Sequence, residues 1–375
     1  MVEKMAKLLF PDGKTLGHFD DPETAFAELS CLLQLGDGVF FEATVIHGNC
    51  LARIDILQKN AANLIVTEVK SGSFDVRDDH GTPFRGARGN ILSEYKEYLE
   101  DLTFQCILLR RAFPSFNIIP RLCLVDKGKK ATENSALDRF RLDRITESGS
   151  GARARVQYLG DVDRLRSEHV LAIVDATSEI SELEPEIADA SARLAATLLS
   201  ESIQRITPEI GQKCKNCEYR LPQDYGQPNG FRECWGELGN ADPHVLDLYR
   251  VDMLGGKNRD VVAEMAASGK AHLNDISDSC LQGQVAERQQ VQLYRTRKNQ
   301  EWISGELLNI LASHPFPLFF IDFEASRLAI PYHVGMHPYE IAAFQWSSHT
   351  IRSADAQVEH TAWLNTDDVF PNFEF

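Results

Sequence analysis

Two short apolar runs constrain this chain more than any other feature: Leu51-Ala52-Arg53-Ile54-Asp55-Ile56-Leu57 and Leu64-Ile65-Val66-Thr67-Glu68-Val69-Lys70. Both are built of Ile, Leu and Val, interrupted by acids, as expected of strands packed on a core. They are read as an antiparallel hairpin with residues 58–63 as its loop. Leu57 then pairs with Leu64 and Asp55 lies opposite Val66. Side chains alternate along a strand, so Asp55, Glu68 and Lys70 project from one side. A slip of one residue would send Asp55 to the other face.

That spacing suits phosphodiester hydrolysis, which needs charge stabilisation at phosphorus and a nucleophile available at neutral pH. Two convergent carboxylates can hold Mg²⁺ or Mn²⁺, which prefer oxygen ligands. The ion polarises the phosphoryl group and lowers the pKa of its water. A lysine two residues past the second acid can orient that water or take its proton. The competing interpretation is a half-buried strand with a cross-strand ion pair.

The stretches Ala52 to Leu57 and Thr67 to Gly72 resemble the PD-(D/E)xK nuclease superfamily, in its RecB-like branch with the CRISPR-associated exonucleases. The resemblance implies Asp55 and Glu68 as metal ligands and Lys70 as catalytic. It also implies a glutamine on the following helix that fixes the lysine, and Gln105 takes that place. The tyrosine usual four residues later is Leu109 here. Gln105 can equally be an exposed helix residue. Glu42 or His47 would serve as an upstream ligand, though neither lies in a recognisable motif.

Around the hairpin, residues 22–35 have helical spacing and stop at Gly36-Asp37-Gly38. Strands are expected over 39–46, 50–57, 64–70 and 118–126, and a helix over 91–111 after a polar loop, 71–90. Residues 148–151 mark another loop. A long amphipathic helix is expected over 179–206, interrupted near Pro185, and residues 243–312 read as mainly helical. Pro315 and Pro317 precede Leu318-Phe319-Phe320-Ile321-Asp322-Phe323-Glu324, which reads as a buried strand.

The net charge of −16 argues against a general coating of nucleic acid. Acidic residues are what a metal site needs, however, and a bound cation inverts the local field. Residues 77–144 are locally basic, with Arg110-Arg111 and Lys127 to Lys130, and either carry a nucleic-acid path or form a solvated basic face. No apolar run is long enough to span a bilayer, and the first ten residues lack the apolar stretch of a signal peptide. A soluble, cytoplasmic protein with no membrane partner is expected.

Cys31, Cys50, Cys106, Cys123 and Cys280 are scattered and read as buried free thiols. Cys214 and Cys217 form a Cys-x-x-Cys pair, and Cys234 follows in a loop-rich stretch. Zinc and iron–sulfur clusters both accept such ligands and both want four; a redox dithiol has no thioredoxin-like strand leading into it. The trio resembles the cluster ligands of RecB-like nucleases that carry a 4Fe-4S cluster. In that family the fourth cysteine sits on a helix before the core. Cys31 is the nearest candidate here, in surroundings that do not match.

Asp322 and Glu324 share one face of their strand, and 339–350 and 357–365 read as two more strands. Three strands opening on Asp-x-Glu resemble the start of the RNase H-like fold of DEDD exonucleases, which implies a second, incomplete metal site. A structural strand with two solvent-facing acids is the competing interpretation. The whole combination resembles the family catalogued as domain of unknown function 2779, carried by Ile321 to Glu324, Pro338-Tyr339 to Phe344-Gln345, and Cys214 to Trp235. It implies that both ends of the family's pattern lie outside this chain.

The expected fold is α/β: a PD-(D/E)xK core with a mixed sheet flanked by helices, a helical cysteine-containing segment, and a partial RNase H-like strand set. The expected division is 1–240, 241–314 and 315–375. The expected function is a Mg²⁺- or Mn²⁺-dependent nuclease acting on DNA, in repair or defence. Its rivals are a non-catalytic nucleic-acid-binding scaffold and a metal-stabilised structural module.

Overall fold

The computed structural model describes residues 1–17, 21–78, 83–145, 153–199, 201–221, 228–256 and 259–367. The chain forms two compact units, residues 1–202 with 316–375, and residues 203–315. The cysteine segment and the helical stretch after it share the second unit. The loop expected at 148–151 lies outside the described residues.

The first unit is α/β. Its elements run α1 (Val2–Leu8), β1 (Lys14–Thr15), α2 (Pro22–Leu35), β2 (Gly38–His47), β3 (Cys50–Asn60), β4 (Asn63–Phe74), α3 (Ser93–Ala112) and β5 (Asn117–Asp126). A two-stranded ribbon follows, β6 (Phe140–Ile145) and β7 (Arg153–Tyr158), then α4 (Val162–Glu168), β8 (Leu171–Asp175) and α5 (Thr177–Leu199). Six strands form one mixed sheet in the order β1-β2-β3-β4-β5-β8. The meander β2-β3-β4 is antiparallel, whereas β4 and β5 run parallel because α3 carries the chain back across the sheet.

Both faces of the sheet are covered. Leu29 and Leu33 of α2, Leu99 and Leu102 of α3, and Ile180 and Leu183 of α5 close one core over Leu57, Leu64 and Val66. Val2 and Met5 of α1 and Leu165 of α4 close the other over Ile56, Val69 and Val125. Asp21 caps α2, its carboxylate accepting from Thr24 N at 3.1 Å, with Pro22 in the first turn. Pro185 sits inside α5 without ending it; the helix stops at Leu199 rather than continuing to 206.

The hairpin register differs from the sequence expectation by two residues. Leu57 pairs with Val66 and Asn60 with Asn63, so the strands extend through 58–60 and the turn is Ala61-Ala62. Ala61 takes a left-handed φ of 51°, which a two-residue hairpin turn demands and alanine does not favour. Because the offset is even, the faces expected for Glu68 and Lys70 survive.

Residues 316–375 add a separate sheet in the order β11-β10-β9, from β9 (Leu318–Ser326), β10 (Ala342–Ile351) and β11 (Glu359–Leu364). β9 is not the buried strand its apolar sequence suggests: Phe319, Phe320, Ile321 and Phe323 are each more than half exposed. The connection from β9 to β10 packs on the nearby core instead. Ile330 is buried there, Ala131 N donates to Met336 O at 2.9 Å, and Ser135 N donates to Tyr332 O at 2.6 Å.

The second unit is less helical than expected. Its helices are α6 (Gly230–Trp235), α7 (Val261–Ala267), α8 (Ala286–Arg297) and α9 (Gly305–Ser313), joined by short 3₁₀ turns. Phe231, Trp235, Val245, Leu246, Val262 and Leu273 form its core.

Candidate active site

The β3–β4 ladder ends at Ile56↔Thr67, and the β4–β5 register slips between Val69 and Ser73. The strands part there, and Asp55 and Glu68 are the next residues beyond the last pair. Alternation also breaks at Asp55. Ile54 belongs to the core under α3, yet Ile56 belongs to the core under α1. The same switch occurs across the neighbouring pair, between Phe41 and Ala43, with Glu42 between them at a φ of 56°. Asp55 therefore leaves the simple face that strand periodicity assigns it. Its Oδ2 accepts from Val69 N at 2.8 Å, replacing a ladder hydrogen bond.

Glu68 and Lys70 face α3. Glu68 is buried, and its Oε2 accepts from Gln105 Nε2 at 2.7 Å. Its Oε1 lies 2.9 Å from Lys70 Nζ, which also reaches Asp101 Oδ2 at 2.7 Å. Gln105 is thus a buried partner of the glutamate, neither an exposed helix residue nor a direct partner of the lysine. Its Oε1 has no partner among the described residues. The ring of Tyr98 lies 5.8 Å from the Lys70 ammonium. Gly72 makes that approach possible, since a Cβ there would sit 2.7 Å from the Tyr98 ring.

Electrostatics separate the two ends of the site. Burial, then the adjacent Glu68 carboxylate, push the Asp55 carboxyl up to about 7. Burial works against the Lys70 ammonium, but its bonds to Asp101 and Glu68 outweigh it and hold Lys70 above the ordinary lysine range. A free base at this position is not what the geometry provides.

Two further carboxylates approach Asp55. Glu3 of α1, Glu42 of β2 and Asp55 can bring one oxygen each within 4.8 Å of one another. Among the described residues this is the only such group of three or more acidic, histidine or cysteine side chains. The Lys7 ammonium bridges Glu3 and Glu42. Glu42 was a sequence candidate; His47, at the far end of β2, is not part of the group. Glu3 was missed, and no local signal marks it, because only the packing of α1 on the sheet brings it here. Tyr339 was missed as a site neighbour too. Its hydroxyl donates to the Ser71 carbonyl, next to Lys70 in sequence, from a position 268 residues away.

The other predicted residues are not assembled in this way. Asp322 and Glu324 do share a face of β9, opposite Ser347 and Gln345, and both are exposed. No third acid or histidine joins them within ligand range among the described residues. Cys214 and Cys217 sit at a 3₁₀ turn, half-buried, and Cys234 is exposed on α6. The three thiols do not gather within the span of a mononuclear site. Cys31 is exposed on α2 in the other unit. This geometry does not make a ready four-ligand site.

Much of the basic segment is already paired. Arg85 meets Glu179 and Glu182 at 2.7 Å each, Arg77 meets Asp75 at 2.7 Å, and Arg110 meets Glu184. Lys129 donates to the Leu171 carbonyl at 2.7 Å. No helix among the described residues is long and apolar enough to cross a membrane.

No curated protein and no solved structure matches the chain. Residues 319–375, which begin in β9 and include the Tyr339 connection, match the family model described as Domain of unknown function (DUF2779).

Proposed function

We propose that this protein is a metal-dependent nuclease that hydrolyses phosphodiester bonds in DNA, with Asp55, Glu68 and Lys70 at its centre. One observation carries the proposal: at the strand fork, a buried Glu68 is fixed by Gln105 and Lys70 beside a second carboxylate, Asp55. A structural ion pair has no need of a buried glutamine behind it. The donor set is all carboxylate oxygen, which suits a small hard dication such as Mg²⁺ or Mn²⁺. Asp55 and Glu68 would hold it; Glu3 and Glu42 lie within ligand range of Asp55, and Glu68 is not part of that group of three. Such an ion, when bound, polarises a phosphoryl oxygen and acidifies water.

The chain's own residues do the rest. Lys70 is a charged donor, positioned by Glu68 and Asp101 to bind a phosphate oxygen and offset charge that develops on it. Gln105 fixes the rotamer of Glu68. Asp55 stays within hydrogen-bond reach of Val69 N and so keeps its place at the fork.

The test is cleavage of labelled single- and double-stranded DNA with Mn²⁺ or Mg²⁺, comparing the parent with Lys70→Ala. Metal-dependent cleavage that drops by about 10²–10³-fold in the variant is expected. Absence of cleavage by folded parent protein, or cleavage untouched by the substitution, overturns the proposal. DNA binding without cleavage would point instead to a scaffold.

A further inference from the structure

The second unit holds a cavity of ≈ 1090 Å³ against one face of α8. Arg288, Val291, Gln292 and Arg295 line it, at helical positions i, i+3, i+4 and i+7, so they form a single stripe. Tyr249 and Trp302 line it too, and they are 40% and 49% exposed, so both rings remain open to a ligand. The Arg288 guanidinium lies 5.6 Å over the Tyr249 ring, and its Nη1 donates to the Tyr249 hydroxyl at 2.9 Å. Arg295 lies 5.5 Å over the Tyr294 ring and donates to Gln300 Oε1 at 3.3 Å.

The side-chain partners of the two arginines are neutral among the described residues, the Tyr249 hydroxyl and Gln300 Oε1, although the chain carries a net charge of −16. Of the acids that line the cavity, Asp247 is neutralised by Arg220 at 3.0 Å, leaving Glu287 and Glu306. Lys215 adds a third cation on the wall. Each arginine lies over an exposed tyrosine ring, Arg288 over Tyr249 and Arg295 over Tyr294.

We propose that this groove binds single-stranded nucleic acid, with Arg288 and Arg295 on backbone phosphates and Tyr249 and Trp302 stacking unpaired bases. Aromatic platforms interleaved with arginines favour a single strand because only unpaired bases offer their faces. A duplex hides those faces, so it would meet the arginines alone. The inference adds a substrate form to the nuclease reading but does not need that reading: the groove lies in a different unit from Asp55, Glu68 and Lys70.

The experiment is fluorescence anisotropy of a short labelled oligothymidine on the full chain, with EDTA present to prevent cleavage. The matching RNA and a duplex of equal length are run beside it. The parent should bind both single strands more tightly than the duplex. Arg288→Ala with Arg295→Ala should weaken single-strand binding about tenfold or more and flatten its salt dependence, with circular dichroism unchanged. Trp302→Ala should weaken it about tenfold, and Trp302→Phe should retain it. Arg352→Ala, at an exposed arginine of the other unit that pairs with Glu359, should bind like the parent, and the groove variants should still cleave at saturating DNA if the nuclease reading holds. Affinity unchanged in both the arginine and tryptophan variants, or tighter binding of duplex, overturns the groove assignment. Loss of cleavage in every arm with groove-dependent binding intact overturns only the nuclease reading.

Discussion

Glu68 accepts hydrogen bonds from two elements at once, Gln105 on α3 and Lys70 two residues along its own strand. Each partner restrains a different oxygen, so the carboxylate has little rotational freedom left. Replacing Gln105 with Ala would free one oxygen and leave a buried carboxylate short of a donor. A tenfold to hundredfold loss of Mn²⁺ affinity is expected, measured by calorimetric titration, with Gln105→Glu losing more because it sets two carboxylates face to face. At this scale much was legible in the sequence. Asp55, Glu68 and Lys70 were readable because acids interrupt runs of Ile, Leu and Val. Gln105 was singled out only through the family resemblance, which tied it to the lysine, and its partner here, Glu68, was not foreseen. Glu3 belongs to no sequence pattern, and the family stretch that contains Tyr339 gave no hint that its hydroxyl reaches Ser71, because both arrive from distant elements.

Elements follow periodicity where burial is one-sided and depart from it where the backbone is distorted. β2 to β5, α2 and α3 all form where their patterns place them. The hairpin register went astray because polar residues 58–60 look like a loop, yet they continue the strands, with Gln58 and Lys59 half-buried and Asn60 exposed. The break in alternation at Asp55 and Glu42 was invisible for another reason: it depends on two adjacent strands twisting together. In the second unit, His244 gives an element-level test. It is buried against Phe231 and Trp235, its Nδ1 accepts from Leu246 N at 3.1 Å, and its Nε2 has no partner among the described residues. Burial, then nearby Arg220, lower its pKa to about 4. The unfolded chain takes up this proton near the ordinary histidine value, before the folded unit does. Stability of the unit is therefore full above about pH 6.5 and falls as the pH drops from there towards 4, by on the order of 2 kcal/mol. His244→Asn, which can still accept the Leu246 amide, should flatten that dependence in urea titrations followed by tryptophan fluorescence.

At the scale of the whole molecule, residues 316–375 share a compact unit with the first 202 despite the long insertion between them. Ile330 completes the core that contains Val2, Met5 and Leu165, and backbone bonds join 332–336 to 131–135. Deleting 316–375 should lower the unfolding midpoint of the first unit by several degrees and slow cleavage, since Ser71 loses its Tyr339 partner beside Lys70. A midpoint unchanged in a thermal scan would show that the connection is only laid against the core. The exposed Phe319, Phe320, Ile321 and Phe323 also illustrate a limit of reading strands by composition. Apolar residues declare that a strand can be covered, and the cover itself comes from elsewhere in the fold.

The two carboxylates at the strand fork have already committed part of their valence. One oxygen of Asp55 serves a backbone amide, and the two oxygens of Glu68 have protein donors in Gln105 and Lys70. Each acid can therefore offer a cation one oxygen more readily than two. Single-point attachment suits an ion that keeps octahedral order and several of its waters, and it penalises a larger one that is satisfied by chelating carboxylates through both oxygens. The hydrogen bonds that organise the pocket would thus act as a size filter, discriminating magnesium and manganese from calcium by denticity before any nucleic acid arrives.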